Sequence, residues 1–172
     1  MHIVMRWVTF LIAAGLFFYF SKYEFGPFAD QHKGHKTLDG TTFYKPSSVR
    51  PILDGLGTTF LPHYLIQERT VDLMFPFIYG LLLMVPIVSL APGARAPWWL
   101  AALPILAIAG DFCENFTAMA LIKRYPGDLG ALPYMASIGS GAKGVGLLGS
   151  LAAIAVLALM WIVRFSTHAR AA

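Results

Sequence analysis

The sequence predicts an all-α fold, a transmembrane four-helix up-down bundle with a polar cap formed by its long first loop. Three observations carry that expectation. Of the 172 residues, 57% are hydrophobic and only 13% charged, more apolar surface than a soluble interior of this size can hide. Four apolar stretches approach or reach the roughly 20 residues that a ~30 Å hydrocarbon core demands of a helix. The last two connections are short and rich in Pro and Gly, which turns neighbouring helices antiparallel, whereas the first is long and polar.

The predicted spans are about 3–21, 70–90, 98–122 and 134–164, in a single domain 1–172 with the cap over 22–69. In the first span, Arg6 followed by an apolar run resembles the basic and apolar regions of a signal peptide. No A-x-A-like cleavage site follows Phe20, so the stretch is read as a retained anchor. Within the cap, Ser47 or Ser48 is placed to N-cap a short helix over 49–56, with Pro51 in its first turn and Gly57 ending it. Thr58 or Thr59, with Pro62 just inside, marks a second start, so the second span is expected to begin early as an interfacial stretch. Trp98 and Trp99 open the third span as interface anchors. The chain is expected in the inner membrane as a multi-pass protein. A dominant first helix puts both termini in the cytoplasm, although eight Lys and Arg then fall on the far side, against the positive-inside rule.

Several functions are excluded or disfavoured. The net charge is +4 and the pI about 9.3, but the basic residues are scattered and form no stripe, so nucleic acid is not a partner. Cys113 is the sole cysteine, which forbids an intramolecular disulfide and a Cys-based metal site; it reads as a small buried filler. His32 and His35 read as solvated loop residues. Ser140 to Lys143 spells S-x-x-K, yet neither S-D-N nor K-T-G accompanies it. The glycines over 139–149 lack the G-K-S or G-K-T of a phosphate-binding loop and read as helix packing. Asp72, Asp111, Glu114 and Asn115 would suit a hard cation such as Mg or Ca, but no metal or other cofactor is assigned.

Function is sought at ionisable residues inside the spans, because each costs about 2.5–3.5 kcal/mol at a helix centre on insertion scales. Asp111, Glu114 and Asn115 stand at i, i+3 and i+4 and share one helix face. Tyr64, Glu68, Asp72, Pro76 and Tyr79 follow one stripe. Lys143 shares its face with the small residues Ala136, Ser140, Gly146 and Ser150. At 1.5 Å per residue Glu114 and Tyr79 both lie roughly 12 Å inside their span ends on the loop side. One lidded polar pocket is therefore expected, with Pro76 freeing the carbonyl of Asp72 as a backbone acceptor. Three carboxylates there face one lysine unless Arg69 or Arg124 turns inward, which calls for a held proton, a cation or a ligand amine.

Each residue also has a plain architectural reading. Lys143 with Asp111 or Glu114 would be an interhelical ion pair fixing register, Asn115 an interhelical donor, and Tyr64 or Tyr79 an interface anchor. In the functional reading Asp111 and Glu114 act as acid and base or share a proton, and Lys143 holds an anionic head group or intermediate. Asp72, Tyr79, Asn115 and Tyr64 bind and orient a lipid-like or isoprenoid amphiphile entering from the bilayer. Two other classes stand beside it. One is an accessory subunit docking other membrane subunits through the small-residue rows of the fourth helix; the other is proton or cation translocation, disfavoured by the lack of an internal repeat.

Leu38-Asp39 with Tyr44, Leu56-Gly57 with Tyr64, Asp72-x-x-x-Pro76-x-x-Tyr79, Asp111-x-x-Glu114-Asn115 and Lys143 together resemble an uncharacterised family of small four-helix integral membrane proteins. The resemblance covers 38–143, and its most specific element is D-x-x-E-N combined with D-x-x-x-P-x-x-Y. It implies architecture and a choice of residues, but no reaction. The glycine-rich run 140–146 around the lysine departs from the bulkier residues that the resemblance leads one to expect.

Overall fold

The structure, a computed structural model, describes residues 3–24 and 36–169; His32 and His35 lie outside the described residues. Every regular element among them is helical. Helix α1 (Ile3–Tyr19) continues into one π turn (Phe20–Glu24), followed by α2 (Pro46–Arg69), α3 (Val71–Ala94), a 3-10 turn (Trp98–Ala101) leading into α4 (Ala102–Arg124), and α5 (Leu132–Ala169). Four stretches, Val4–Tyr23, Val71–Ala94, Trp98–Arg124 and Leu132–Arg164, are long and apolar enough to cross a membrane. Exposed large apolar side chains such as Leu11, Phe77, Ile105 and Leu159 occur on all four.

Helix α2 departs from expectation at its start. Lys45, in extended conformation and without a side-chain bond, occupies the N-cap, so Ser47 and Ser48 fall inside the first turn behind Pro46. A proline is tolerated there because the first-turn amides have no intrahelical acceptor. At Gly57 the backbone takes φ 65 and ψ 171, a combination open only to glycine, and the helix kinks where the sequence places its end. Thr70, at φ −116 and ψ −80, then separates α2 from α3. The expected single stripe from Tyr64 to Tyr79 is thus carried on two helices.

Three prolines interrupt α3, and each removes the amide that would bond the carbonyl four residues earlier. Two of these carbonyls are met by neighbours: Asn115 Nδ2 donates to Asp72 O at 2.7 Å, opposite Pro76, and Arg6 Nη1 donates to Val88 O at 2.9 Å, opposite Pro92. Polar side chains from α4 and α1 therefore repair the backbone of α3, as a low-dielectric setting requires.

Helices α4 and α5 pack most closely. A Cβ on Gly110 would strike Lys143 N and sit 2.8 Å from Ala142 C, one on Gly139 would lie 2.7 Å from Glu114 N, and one on Gly146 2.7 Å from Ala107 Cα. Each step forward on α4 is a step back on α5, so the pair is antiparallel with backbones in contact. The missing side chains of Gly110, Gly139 and Gly146 permit this. Helix α1 touches mainly α3, through Phe17 on Phe75 with centroids 5.2 Å apart, and buries only Ala13 fully.

The segment from Lys36 through α2 packs on the C-terminal end of α4 and the start of α5. Leu38, Val49, Leu53, Leu56 and Tyr64 share one buried cluster with Ala118, Leu121, Leu129 and Ala136. On its outer side Arg50 bonds the carbonyls of Pro126 and Gly127 at 3.2 and 2.7 Å, and Tyr125 donates to Asp54 at 2.6 Å. That acceptor, aided by partial desolvation, raises the Tyr125 phenol above its ordinary value. The loop ahead of α2 is pinned as well. Phe43 takes a left-handed φ of 59, rare for a bulky residue, while its amide donates to Ser140 Oγ at 3.2 Å and its ring rests on Gly144.

Candidate functional site

The side chains singled out on α4 and α5 meet. Lys143 Nζ lies 2.8 Å from Asp111 Oδ1 and 3.2 Å from Glu114 Oε2, with the three side chains 17%, 5% and 2% exposed. Asp111 and Glu114 reach one lysine because they stand one turn apart on the same face. Tyr79, from α3, donates its phenolic proton to Asp111 Oδ2 at 2.8 Å, with Ala107 O at 3.2 Å. Asn115 fills the interhelical donor role, its amide committed to Asp72 O.

A second group, positioned by α2 and the loop before it, adjoins the first. Tyr64 is fully buried, which removes it from the class of interface anchors. Its hydroxyl donates to Asp39 Oδ1 at 2.8 Å and accepts the Leu38 amide at 3.2 Å. Gln67 Nε2 reaches Asp39 Oδ2 at 3.4 Å. Glu68 is wholly buried, and Asp39, Asp72 and Glu114 are close enough to repel its charge. Burial first, and those carboxylates second, push the Glu68 carboxyl well above its ordinary value. Burial likewise raises the Tyr64 and Tyr44 phenols, reinforced by Asp39 and Glu114 respectively.

The charge balance is lopsided. Asp39, Glu68, Asp72, Asp111 and Glu114 converge on a network whose one cation among the described residues is Lys143, while Arg69 and Arg124 both lie exposed at the surface. Five buried acceptor atoms, Glu68 Oε1 and Oε2, Asp72 Oδ2, Glu114 Oε1 and Asn115 Oδ1, lack hydrogen-bond partners among the described residues, as does the Tyr44 hydroxyl. Tyr44 faces Glu114 but does not reach bonding geometry with it. Tyr64 also lies near Glu68, but its single proton goes to Asp39, so it cannot serve Glu68 as a donor.

Lys143, already held by two carboxylates, offers little to an anionic head group. The network itself is tightly closed. The cavity of about 690 Å³ beside it is lined by Lys36, Phe43, Tyr44, Lys45, Ser48 and their neighbours, and shares Tyr44 as a wall. Among the described residues no group of His, Cys, Asp or Glu is arranged to hold a metal ion. Cys113 is half-buried, its thiol 3.8 Å from Met135 O, and Trp98 and Trp99 are exposed.

The small-residue rows of α5 are occupied within the chain. Ala136 packs under the cap, Ser140 and Gly144 hold Phe43, and Gly146 abuts Ala107. The sequence marked Asp72, Asp111, Glu114 and Lys143. It named Asp39 and Tyr44 only within the family resemblance, kept Glu68 only as part of a stripe, and passed over Gln67. The signal that finds Glu68 is its place one turn before Asp72, once α2 is known to fold over the bundle. No protein-family model, curated protein or solved structure matches the chain.

Proposed function

We propose that the chain is a multi-pass protein of the inner membrane. Its four spans form one up-and-down bundle, the segment 22–69 caps one end, and both termini are cytoplasmic. The buried network beneath the cap binds, or acts on, the polar head of a lipid-like or isoprenoid amphiphile. The observation that carries this reading is the convergence of five carboxylates and one lysine, with acceptor atoms left over, at the capped end of four apolar helices. A purely architectural ion pair needs one carboxylate for its lysine. Gathering four more, three of them buried and Asp39 half-buried, is costly, and such groups mark ligand or ion sites when they lie among membrane helices. The antiparallel contacts of α1 with α3, α3 with α4 and α4 with α5 support the up-and-down arrangement.

The test is to purify the chain in lipid nanodiscs and compare co-purifying lipids with those of Glu114→Gln. The reading expects a head-group class enriched over bulk lipid in the wild type and lost in a variant that still unfolds cooperatively. Identical lipid profiles would sink it. A reporter fused to the C-terminus tests orientation, since an external signal reverses it. Proton handling is the second reading, favoured by the raised Glu68 carboxyl; proteoliposomes that carry no proton flux under an imposed gradient would remove it.

A further inference from the structure

Resting on the amphiphile-binding reading above, we infer that the head group is a primary ammonium, recognised by Glu68, Asp72, Glu114 and Asn115, and not a phosphate or carboxylate. Donors and acceptors in the network are unequal. Five acceptor atoms stand without a donor among the described residues, against the one O–H of Tyr44. They belong to four side chains from three helices, with relative exposures of 0% for Glu68, 6% for Asp72, 1% for Glu114 and 1% for Asn115. Asn115 is neutral, so the imbalance is not only a matter of charge: its Nδ2 is used on the Asp72 carbonyl, and its Oδ1 is a buried acceptor without a partner among the described residues.

An ammonium supplies what such a set takes, three N–H donors on one positive centre, and charge-assisted bonds to carboxylates are the strong ones. A proton on Glu68 turns one acceptor into a donor, which leaves four acceptors to share two donors, that proton and the Tyr44 O–H. An anionic head group adds acceptors to a surplus of acceptors, and Lys143, the one cation of the network among the described residues, is spanned by Asp111 at 2.8 Å and Glu114 at 3.2 Å, so the lysines of the adjoining cavity, Lys36 and Lys45, are the cations left to it. A bare metal ion meets no set of three ligating side chains among the described residues.

Access follows from the walls. The ~690 Å³ cavity falls within the ~300–1,000 Å³ range of small-molecule sites. Tyr44 lines this cavity and also lies beside Glu114. The Phe43–Tyr44 segment is tied to α5 by the bond to Ser140 and the contact with Gly144, and a head group entering from the cavity displaces it.

The experiment uses the full chain in phosphatidylcholine nanodiscs doped with stearylamine, stearyl alcohol or stearic acid, three probes of matched tail and different head. Retention is read by native mass spectrometry and by the shift in Tm. Stearylamine is retained and raises Tm, the alcohol and acid do so far less, and Glu68→Gln and Asp72→Asn each weaken stearylamine binding about tenfold or more. Stearic acid or stearyl alcohol bound as tightly as the amine overturns the ammonium assignment and leaves the amphiphile reading standing. Retention of none of the three, with Tm unmoved, overturns both. Undiminished stearylamine binding in both variants, each still folded, overturns the assignment to these residues.

Discussion

Replacing Lys143 by methionine is the sharpest test of how the network is held. The ammonium lies 2.8 and 3.2 Å from two carboxylates whose side chains are 5% and 2% exposed, so its removal strands two charges out of water. Breaking a buried pair from one side costs about 3–5 kcal/mol, whereas an exposed pair is worth about 0–1 kcal/mol. Lys143→Met is therefore expected to lose about 3–5 kcal/mol. The triple variant Lys143→Met, Asp111→Asn, Glu114→Gln should return to within about 1–2 kcal/mol of wild type, because neutral polar side chains carry no uncompensated charge and the carboxamide introduced in place of Asp111 keeps an oxygen for the Tyr79 hydroxyl. The assay is reversible unfolding in mixed lipid and detergent micelles titrated with a denaturing detergent. A loss below about 1 kcal/mol in the single variant, or a triple variant as unstable as the single one, would refute the reasoning.

Other consequences can be checked in the same preparation. Asn115→Leu leaves the Asp72 carbonyl unbonded and should cost about 1–3 kcal/mol; adding Pro76→Ala restores a main-chain donor, so the double variant should recover most of the loss, and simple additivity of the two would contradict the repair. Gly110→Ala puts a methyl against the backbone of α5 and should cost about 1–3 kcal/mol or more, with an unchanged melting curve counting against the backbone contact. Tyr64→Phe deprives Asp39 and the Leu38 amide of their partner, so hydrogen exchange at Leu38 should speed up while α4 and α5 keep their protection. The pH dependence has a definite sign. Glu68 is raised above its ordinary value of 4.5, so its protonated form stabilises the fold at low pH, and that stability is lost as pH rises through the folded-state value. Wild-type Tm should therefore fall with pH above about 4.5 more steeply than that of Glu68→Gln, and parallel curves would exonerate Glu68.

What could be seen in the sequence follows from where the physics is local. The spans are legible because apolar length is a property of the chain itself, and the α4 face because i, i+3, i+4 spacing survives any packing. Pro76 announces a free carbonyl, and Asn115 is the side chain that takes it. Glu68, Asp39 and Tyr44 could be picked out, but not their meeting with Asp72 and Glu114, because they join the network only when α2 folds back over the bundle end, a tertiary event that a kink at Gly57 and a break at Thr70 direct but do not advertise. The rows Ala136, Ser140, Gly144 and Ala142, Gly146, Ser150 read as a surface for a foreign helix, since small residues permit approach without naming the neighbour. The chain's own α4 and Phe43 use that space.

Helix α1 contributes no side chain to the acidic network, and its one polar tie to another helix among the described residues is the guanidinium on Val88 O. Substitution along it should thus be tolerated wherever oiliness is kept, apart from Arg6, Ala13 and Phe17, in contrast to the narrow choice imposed on α4. A mutational scan would divide the molecule into a permissive outrigger and an exacting keel.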